Sequence, residues 1–339
     1  MFATCLPGLA PLVRQQLDEL PGIRTTDGGF DGRDDVLLFE ADRGQRGAAL
    51  TLRTTEDVFV EIGRAARSEG DNPRRIAGLV WRPQRVQRAL SIWAEHNHPL
   101  AASMTFRVIT RILSEKAFLR TELRQQLSDT IRRDRPRWKV ADPAQLEIWA
   151  CEYRAGRFVA GLRLTNARMR QHDGRNLERQ GALRPTLAAA MVDLAGEPSG
   201  VLLDPCCGSG TILAEAVTAG WIAKGADIDP AAVAIARHNV AEATVQVGDA
   251  LRMSFPDASV GACVSNLPFG RQYQVRGDMN TWLSTLLREI ARVTRPGGHV
   301  VLLAPDIPRT TVPASLSLAG TFPVRLLGMN ATTWYYQRI

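Results

Sequence analysis

The chain has 339 residues and a net charge of +7, with hydrophobic and charged fractions ordinary for a soluble protein holding two or three domain cores. No apolar run approaches the length of a bilayer span, and Met1 to Leu20, interrupted by Pro7, Gly8 and Pro11 and lacking a basic start, does not read as a signal peptide. The five cysteines are scattered apart from the adjacent Cys206 and Cys207, and His96, His98, His172, His238 and His299 form no metal spacing, so no metal is expected and a reducing cytoplasm is the expected setting.

The basic excess has a location. Residues 103–180 hold 17 Lys and Arg against 9 Asp and Glu, whereas the flanking segments are close to neutral. Charge gathered into one region predicts a surface for a polyanion; the alternative is a solvated basic face with no partner.

In chain order, Met1 to Cys5 reads as a short strand. A helix follows from Gly8-Leu9-Ala10-Pro11, with Leu12, Val13, Leu17 and Leu20 on a helical period, and Pro21-Gly22 stops it. Val36 to Glu40 reads as a strand, Gly44 to Leu50 as a helix or turn, and Val58 to Gly63 as another strand, together a small α+β module of the ferredoxin-like kind over residues 1–66. Ser68 to Pro73 is a polar loop. A helix over Arg82 to Ala94 places Val86, Leu90 and Trp93 on one face, and Met104 to Ile112 alternates as a strand. Leu119 to Arg132 is amphipathic, with Leu123, Leu127 and Ile131 on one face and Arg120, Arg124, Arg132 and Arg133 on or beside the other. Two strands, Leu146 to Tyr153 and Arg157 to Leu164, meet at a tight turn. The second module therefore covers residues 67–166, and the polar, basic stretch 167–180, with Arg168, Arg170, Arg175 and Arg179, reads as a linker whose arginines touch phosphates or simply face solvent.

Residues 181–339 carry the chemistry. A helix spans Thr186 to Leu194. The apolar run Val201-Leu202-Leu203 ends in Asp204, then Pro205-Cys206-Cys207-Gly208-Ser209-Gly210-Thr211 turns into a helix. Strand, glycine-containing turn and helix make the opening unit of a nucleotide-binding α/β sheet, where glycine lets backbone approach a ligand. A second strand ends in Asp227-Ile228-Asp229, about twenty residues past the loop, the distance at which such folds place an acid on ribose hydroxyls. Asp229, before Pro230, is either a second acid of the site or the cap of the next helix. A third strand, Thr244 to Val247, ends in Gly248-Asp249-Ala250, and a fourth, Ser259 to Ser265, ends in Asn266-Leu267-Pro268-Phe269-Gly270. A helix over Met279 to Thr294 stops at Arg295-Pro296-Gly297-Gly298; His299 to Ala304 is a fifth strand, and Thr321 to Leu327 and Thr333 to Arg338 close the sheet.

This set of residues resembles the class I S-adenosylmethionine-dependent methyltransferases, and Asn266-Leu267-Pro268-Phe269 resembles the Asn-Pro-Pro-Phe/Tyr signature of enzymes that methylate exocyclic amines of bases. Leu267 and Gly270 look like the variant in THUMP-domain RNA guanine-N2 methyltransferases. Leu6-Pro7-Gly8-Leu9 and the element order of residues 67–166 are similar to the ferredoxin-like and THUMP domains of that family. The resemblance implies a Rossmann-like seven-stranded α/β domain preceded by two α+β modules, S-adenosylmethionine as cofactor, and guanosine N2 in tRNA as target. It also implies roles. Asp204, Gly208 and Gly210 meet the methionine end, Asp227 the ribose, and Ile228 and Asp249 the adenine, with Cys206, Ser209, Thr211 and Ala250 also in the cofactor site. Asn266 and the Leu267 carbonyl accept the amine hydrogens, Pro268 fixes the turn, and Phe269 stacks on the base. The target base must leave its stack. Cys206 and Cys207 are expected to pack rather than act as thiol nucleophiles.

The expectation is thus a monomeric tRNA guanine-N2 methyltransferase that uses no metal and no membrane. A ribosomal RNA guanine-N2 methyltransferase is the alternative enzyme. A non-catalytic RNA-binding protein with a relic Rossmann domain is the alternative outside enzymes.

Overall fold

A computed structural model describes residues 1–29, 35–66, 72–166, 168–172, 177, 182–268, 278–326 and 329–339. The chain divides into two compact units, Met1–Met169 and Arg170–Ile339.

The first unit contains β1 (Phe2–Cys5), α1 (Ala10–Glu19), β2 (Ile23–Gly29), β3 (Asp35–Ala41), β4 (Thr55–Ala65), α2 (Pro73–Val80), α3 (Pro83–His96), β5 (Thr105–Arg111), α4 (Arg120–Asp134), β6 (Lys139–Val140), β7 (Leu146–Arg154) and β8 (Arg157–Arg163). One sheet takes them all, in the order β2-β3-β1-β4-β8-β7-β5-β6. Its first four strands are mutually antiparallel in the split arrangement of a ferredoxin-like module, with a short 3-10 helix at Arg46–Thr51 in place of the second helix. The sheet does not stop there. β4 pairs antiparallel with β8, Phe59 opposite Arg163, so the segments 1–66 and 67–166 share one ladder.

They also share one core. Phe2 stacks on Phe59 with ring centroids 4.5 Å apart, and Phe59 meets Trp149 at 5.3 Å. Val36, Leu38, Cys151, Tyr153 and Val159 complete that cluster. A side chain at Gly161 would meet Phe2 at 2.6 Å and the Val60 carbonyl oxygen at 2.7 Å, so glycine is what lets β8 lie against this aromatic layer. Each fully buried large side chain contributes roughly 1.5–3 kcal/mol, and neither segment alone encloses these rings. Three elements are not legible in the sequence: β2 is polar and on the sheet edge, α2 is a short helix capped by the Asn72 side chain on the Arg75 N–H, and β6 is two exposed residues.

The second unit contains α6 (Pro185–Leu194), β9 (Val201–Asp204), α7 (Thr211–Thr218), β10 (Ile222–Asp227), α8 (Pro230–Asn239), β11 (Thr244–Val247), β12 (Val260–Asn266), α9 (Met279–Val293), β13 (Thr294–Ala304), β14 (Leu316–Leu326) and β15 (Met329–Arg338); the single turn α5 (Arg168–Gln171) spans the boundary between the units. The sheet order is β11-β10-β9-β12-β13-β15-β14. All pairs are parallel except those of β15, which runs antiparallel between β13 and β14. This is the seven-stranded sheet expected from the sequence. The expected stop at Arg295 to Gly298 is a bulge: Val260 pairs with Thr294 and Ala262 with His299, so the intervening residues leave the ladder. β14 begins five residues earlier than expected because Leu316 is buried against this unit's core beside Tyr336.

Strand order reverses between β9 and β12, the place where open α/β sheets bind ligands. The β9–β12 ladder pairs only Ala262 with Leu202 and Cys263 with Leu203, so the two strands end in Asp204 and Asn266 beyond their last paired residues.

Candidate active site

Asp204, at the end of β9, is buried. Its Oδ1 accepts hydrogen bonds from the Ser265 hydroxyl at 2.6 Å and the Cys206 N–H at 3.1 Å. Burial pushes this carboxyl up to about 7; the Ser265 and Cys206 hydrogen bonds pull it back, and the nearby negative charge of Asp227 adds to the rise.

The loop after Asp204 is held on both sides. The Cys207 N–H donates to the Ala226 carbonyl at 2.9 Å, and the Gly208 N–H donates to Asp227 Oδ2 at 2.8 Å. Gly208 has φ 52, and a side chain there would meet no described atom within 4 Å, so bare backbone faces open space. Gly210, at φ 86, caps α7, and a side chain there would press on Ala236 of α8 and Val240 just after it at 3.2–3.4 Å. Ser209 and Thr211 are buried, and the Ser209 carbonyl accepts from Asn239 Nδ2 at 2.9 Å. Cys206 is partly buried and Cys207 buried; burial, reinforced by the charges of Asp204 and Asp227, pushes both thiols above their ordinary range. Such thiols remain protonated, which suits packing and disfavours nucleophilic use.

The second acid has a double duty. Asp227 Oδ2 holds the Gly208 N–H, and its Oδ1 accepts from the Asp229 N–H at 3.0 Å. A carboxylate oxygen has a second lone pair, so both remain able to accept a ligand hydroxyl. Asp229 caps α8, accepting from the Ala231 N–H at 2.9 Å, which decides between its two readings in favour of the cap. Asp249 is exposed and accepts from the Leu251 N–H at 2.9 Å, while Ala250 beside it is buried. Ile228 is 74% exposed and Val247 53% exposed, on neighbouring strand ends where Asp227 pairs with Val247. Two bare apolar side chains there offer walls to a flat ring; Val247 was not singled out in the sequence.

Asn266 ends β12. Its Oδ1 is buried and accepts no hydrogen bond from any described residue. A buried amide oxygen left without a donor costs on the order of 1–3 kcal/mol, so an unfilled acceptor at a strand end is a functional signal. The Leu267 N–H is fixed on the Leu303 carbonyl at 3.0 Å, Leu267 is buried, and Pro268 is partly buried. Phe269 and Gly270 lie outside the described residues, as do Arg175 and Arg179.

Three ties were invisible to sequence reasoning because each spans a long separation. Ser265 reaches Asp204. The Asn239 side chain pairs with both the N–H (3.0 Å) and the carbonyl (2.9 Å) of Leu177 while also holding Ser209. His172 Nδ1 lies 2.7 Å from Glu215 Oε1 of α7, both side chains buried. The stretch read as a plain linker is therefore fastened, at His172 and Leu177, to the helices that flank the glycine loop.

Among the arginines expected to meet RNA, Arg120, Arg124, Arg132 and Arg133 are exposed on α4. Arg132 lies 3.5 Å from Asp129, and Arg133 donates to Thr130 Oγ1 at 3.1 Å. Arg168 is exposed, whereas Arg170 is partly buried and already partnered. No group of three or more His, Cys, Asp or Glu suited to a metal occurs among the described residues, and no described helix is long and apolar enough to cross a membrane.

Residues 172–312 match the family model described as UPF0020: RMKL-like, methyltransferase domain. The U6 snRNA (guanine-N(2))-methyltransferase THUMPD2 of Bos taurus is 36% identical over 132 residues, covering 36% of this chain and 25% of that protein. The tRNA (guanine(10)-N2)-dimethyltransferase of Methanothermobacter thermautotrophicus is 32% identical over 131 residues, covering 37% of this chain and 39% of that protein. The chain thus matches well under half the length of these curated relatives. Among solved structures, TrmN from Thermus thermophilus superposes with a TM-score of 0.77 at 24% identity, over 100% of this chain and 99% of that one, a likeness of fold along the whole length.

Proposed function

We propose that this chain, whose residues 172–312 match the RMKL-like methyltransferase domain model, transfers a methyl group from S-adenosylmethionine to the exocyclic N2 amine of a guanosine in tRNA. The observation that carries the reading is the buried Oδ1 of Asn266 at the strand-order reversal, which accepts from no described residue and stands beside a loop that presents bare backbone at Gly208. The names of the two relatives, both guanine-N2 methyltransferases, support the choice of amine. The exposed arginines of α4 and the basic excess of residues 103–180 support an RNA partner.

The site suits the cofactor chemically. Asp204 and Asp227 supply negative charge and acceptors, Gly208 clearance, and Ile228 and Val247 apolar walls. When bound, S-adenosylmethionine supplies a methyl carbon made electrophilic by its sulfonium. An exocyclic amine is a poor nucleophile because its lone pair is delocalised into the ring. Asn266 Oδ1 and the Leu267 carbonyl would each accept one amine hydrogen, return density to nitrogen and aim the lone pair in line with the methyl carbon. The Leu267–Leu303 backbone bond holds that geometry against β13. Transfer would form the N–C bond as the C–S bond broke, leaving the electron pair on sulfur, and the surplus proton on nitrogen would then pass to water.

The test is transfer of labelled methyl from S-adenosylmethionine to unmodified tRNA transcripts and to ribosomal RNA, followed by nucleoside digestion, with Asn266→Ala alongside. N2-methylguanosine from tRNA, lost in the variant, is the expected result. Label in ribosomal RNA alone replaces the substrate class. Absence of cofactor binding removes the enzyme reading.

A further inference from the structure

Asn266 is held unequally on its two sides. Toward β13 the backbone secures it: Asn266 pairs with Leu303, and the next N–H donates to the Leu303 carbonyl at 3.0 Å. Toward β9 the paired ladder ends at Cys263 and Leu203, two residues before Ser265. Past that point the strands bounding the crevice are joined by a side-chain bond, Ser265 Oγ donating to Asp204 Oδ1 at 2.6 Å. Ser265 is fully buried, so this hydroxyl has no water to exchange with.

We propose that Ser265 is a positioning residue: its hydroxyl, seated on Asp204, ties the carboxylate at the root of the cofactor loop to the strand that presents Asn266, so the two halves of the site move as one. This rests on the methyl-transfer reading for its functional meaning, and on the hydrogen bond itself for its existence. The physical basis is the same oxygen's double use. Asp204 Oδ1 receives both the loop, through the Cys206 N–H, and β12, through Ser265. Hydrogen bonds to an ionised acceptor are roughly twice as strong as those to a neutral one. Protonating Asp204 therefore loosens loop and strand together. The groups acting on this carboxyl are Ser265 on β12, the Cys206 N–H on the loop and Asp227 on β10. Asp204 in turn raises the thiols of Cys206 and Cys207 on the loop and Cys263 on β12. No cation among the described residues figures in that set. Burial sets the Asp204 carboxyl to about 7, which brings the loosening into an accessible range.

The experiment reads the cofactor-free protein first. Aspartate side-chain carbons and asparagine side-chain amides are labelled and followed by NMR between pH 5.5 and about 8.5, a span that brackets the buried carboxyl. In the wild type the Asn266 amide should move with the same midpoint as the Asp204 carboxyl. In Ser265→Ala the carboxyl midpoint should rise by about one pH unit, the size of one lost hydrogen bond to a charged acceptor, and the Asn266 amide should stop following it. Asp204→Asn, which keeps the shape and removes the titration, should leave the amide flat and serves where Ser265→Ala fails to fold. A flat wild-type amide, or an amide that still follows the carboxyl in Ser265→Ala, overturns the proposal. S-adenosylmethionine affinity is then measured over the same range. Wild-type affinity should fall about tenfold from pH 8.5 to 6, with the fall displaced to higher pH in Ser265→Ala; a fall at the same pH in both also overturns it. If the wild type binds no S-adenosylmethionine at any pH, the methyl-transfer reading fails, while the co-titration still decides the role of Ser265.

Discussion

Asp57 in β4 and Asp204 at the end of β9 are equally buried, and their surroundings differ in sign. Asp57 Oδ1 lies 2.6 Å from Arg163 Nε, and the same guanidinium reaches Glu147 Oε2 at 3.0 Å. Glu147 also meets Arg107 at 2.7 Å, and Glu152 meets Lys116 at 3.1 Å. Burial pushes Glu147 up, but hydrogen bonds from Trp149 and Arg163 overcome it and hold the group below its ordinary range. Glu152 follows the same pattern, with the Ser114 hydroxyl first among the donors that offset burial. Asp204 receives a hydroxyl, a peptide N–H and the repulsion of Asp227. The amino-terminal unit neutralises its buried acids from within, whereas in the candidate site no described residue gives Asp204 a positive charge. A buried carboxylate without a cation is costly to keep, and the cost makes sense where a cationic ligand completes the site. A sulfonium with an ammonium beside it is such a ligand.

The comparison breaks most visibly at Asn266, whose Oδ1 accepts from no described residue. Asn266→Ala is expected to lower methyl transfer by about 10²–10³-fold, the scale of one removed electrostatic contact to the reacting group, with S-adenosylmethionine affinity changed less than about twofold. Single-turnover transfer and equilibrium binding, measured on the same preparation, separate the two; equal losses in both would make Asn266 a cofactor contact. In the amino-terminal unit the matching substitution is Arg163→Met, which leaves the buried Asp57 and the partly buried Glu147 beside an apolar chain. Breaking a buried pair from one side costs about 3–5 kcal/mol, read as a lower urea midpoint for that unit. A loss below about 1 kcal/mol would show that the network is solvated after all.

Asp204 answers in the opposite direction. Its carboxyl sits near 7 folded and in the ordinary carboxylate range unfolded, so between the two the folded protein holds a proton the unfolded chain has released. Stability therefore falls as pH rises through that window and stays low above it. Asp204→Asn removes the dependence. At pH 8 the cofactor-free variant should be more stable than the wild type by up to about 4 kcal/mol, with the difference vanishing towards about pH 4. Its S-adenosylmethionine affinity should drop by at least about tenfold. Urea unfolding at several pH values checks the first statement and calorimetric binding the second. A destabilised Asp204→Asn at pH 8 would mean that the acid is compensated after all.

The same contrast explains what could be read from the sequence. Asp204, Asp227, Asp249 and Asn266 were legible because each closes a short apolar strand, and a strand end in a parallel sheet is an address for ligands. The sheet of the second unit followed from those addresses. The amino-terminal unit has no such punctuation. Its unity comes from Phe59 against Trp149 and from Asp57 with Arg163, the latter a pair 106 residues apart, and nothing local announces either. The boundary placed between 66 and 67 rested on a polar loop, and a loop says nothing about whether the strands on either side of it join. Within the site, Ser265 escaped notice for a related reason. Next to Asn266 it reads as one more strand residue, and only the end of the β9–β12 ladder gives its hydroxyl a task. Asn239 and His172 fall in the same class, polar residues whose partners lie across the fold.

The smallest effect lies on the surface of the amino-terminal unit, where charge is left over rather than buried. Arg124 projects from α4 between the buried turns set by Leu123 and Leu127, and it is exposed. It owes its helix position to the amphipathic period and contributes nothing to the core, so Arg124→Ala should leave the unfolding midpoint unchanged. If α4 faces RNA phosphates, the slope of log affinity against log salt should fall by about 1 for this one residue, with sequence preference untouched. Arg132→Ala should change the slope less, because Arg132 already shares its charge with Asp129 at 3.5 Å. Equal slopes for the wild type and both variants would place the RNA on another face and leave the α4 arginines as a solvated surface. An equal drop for both would show that phosphate outcompetes Asp129, since an exposed ion pair of this kind is worth less than about 1 kcal/mol.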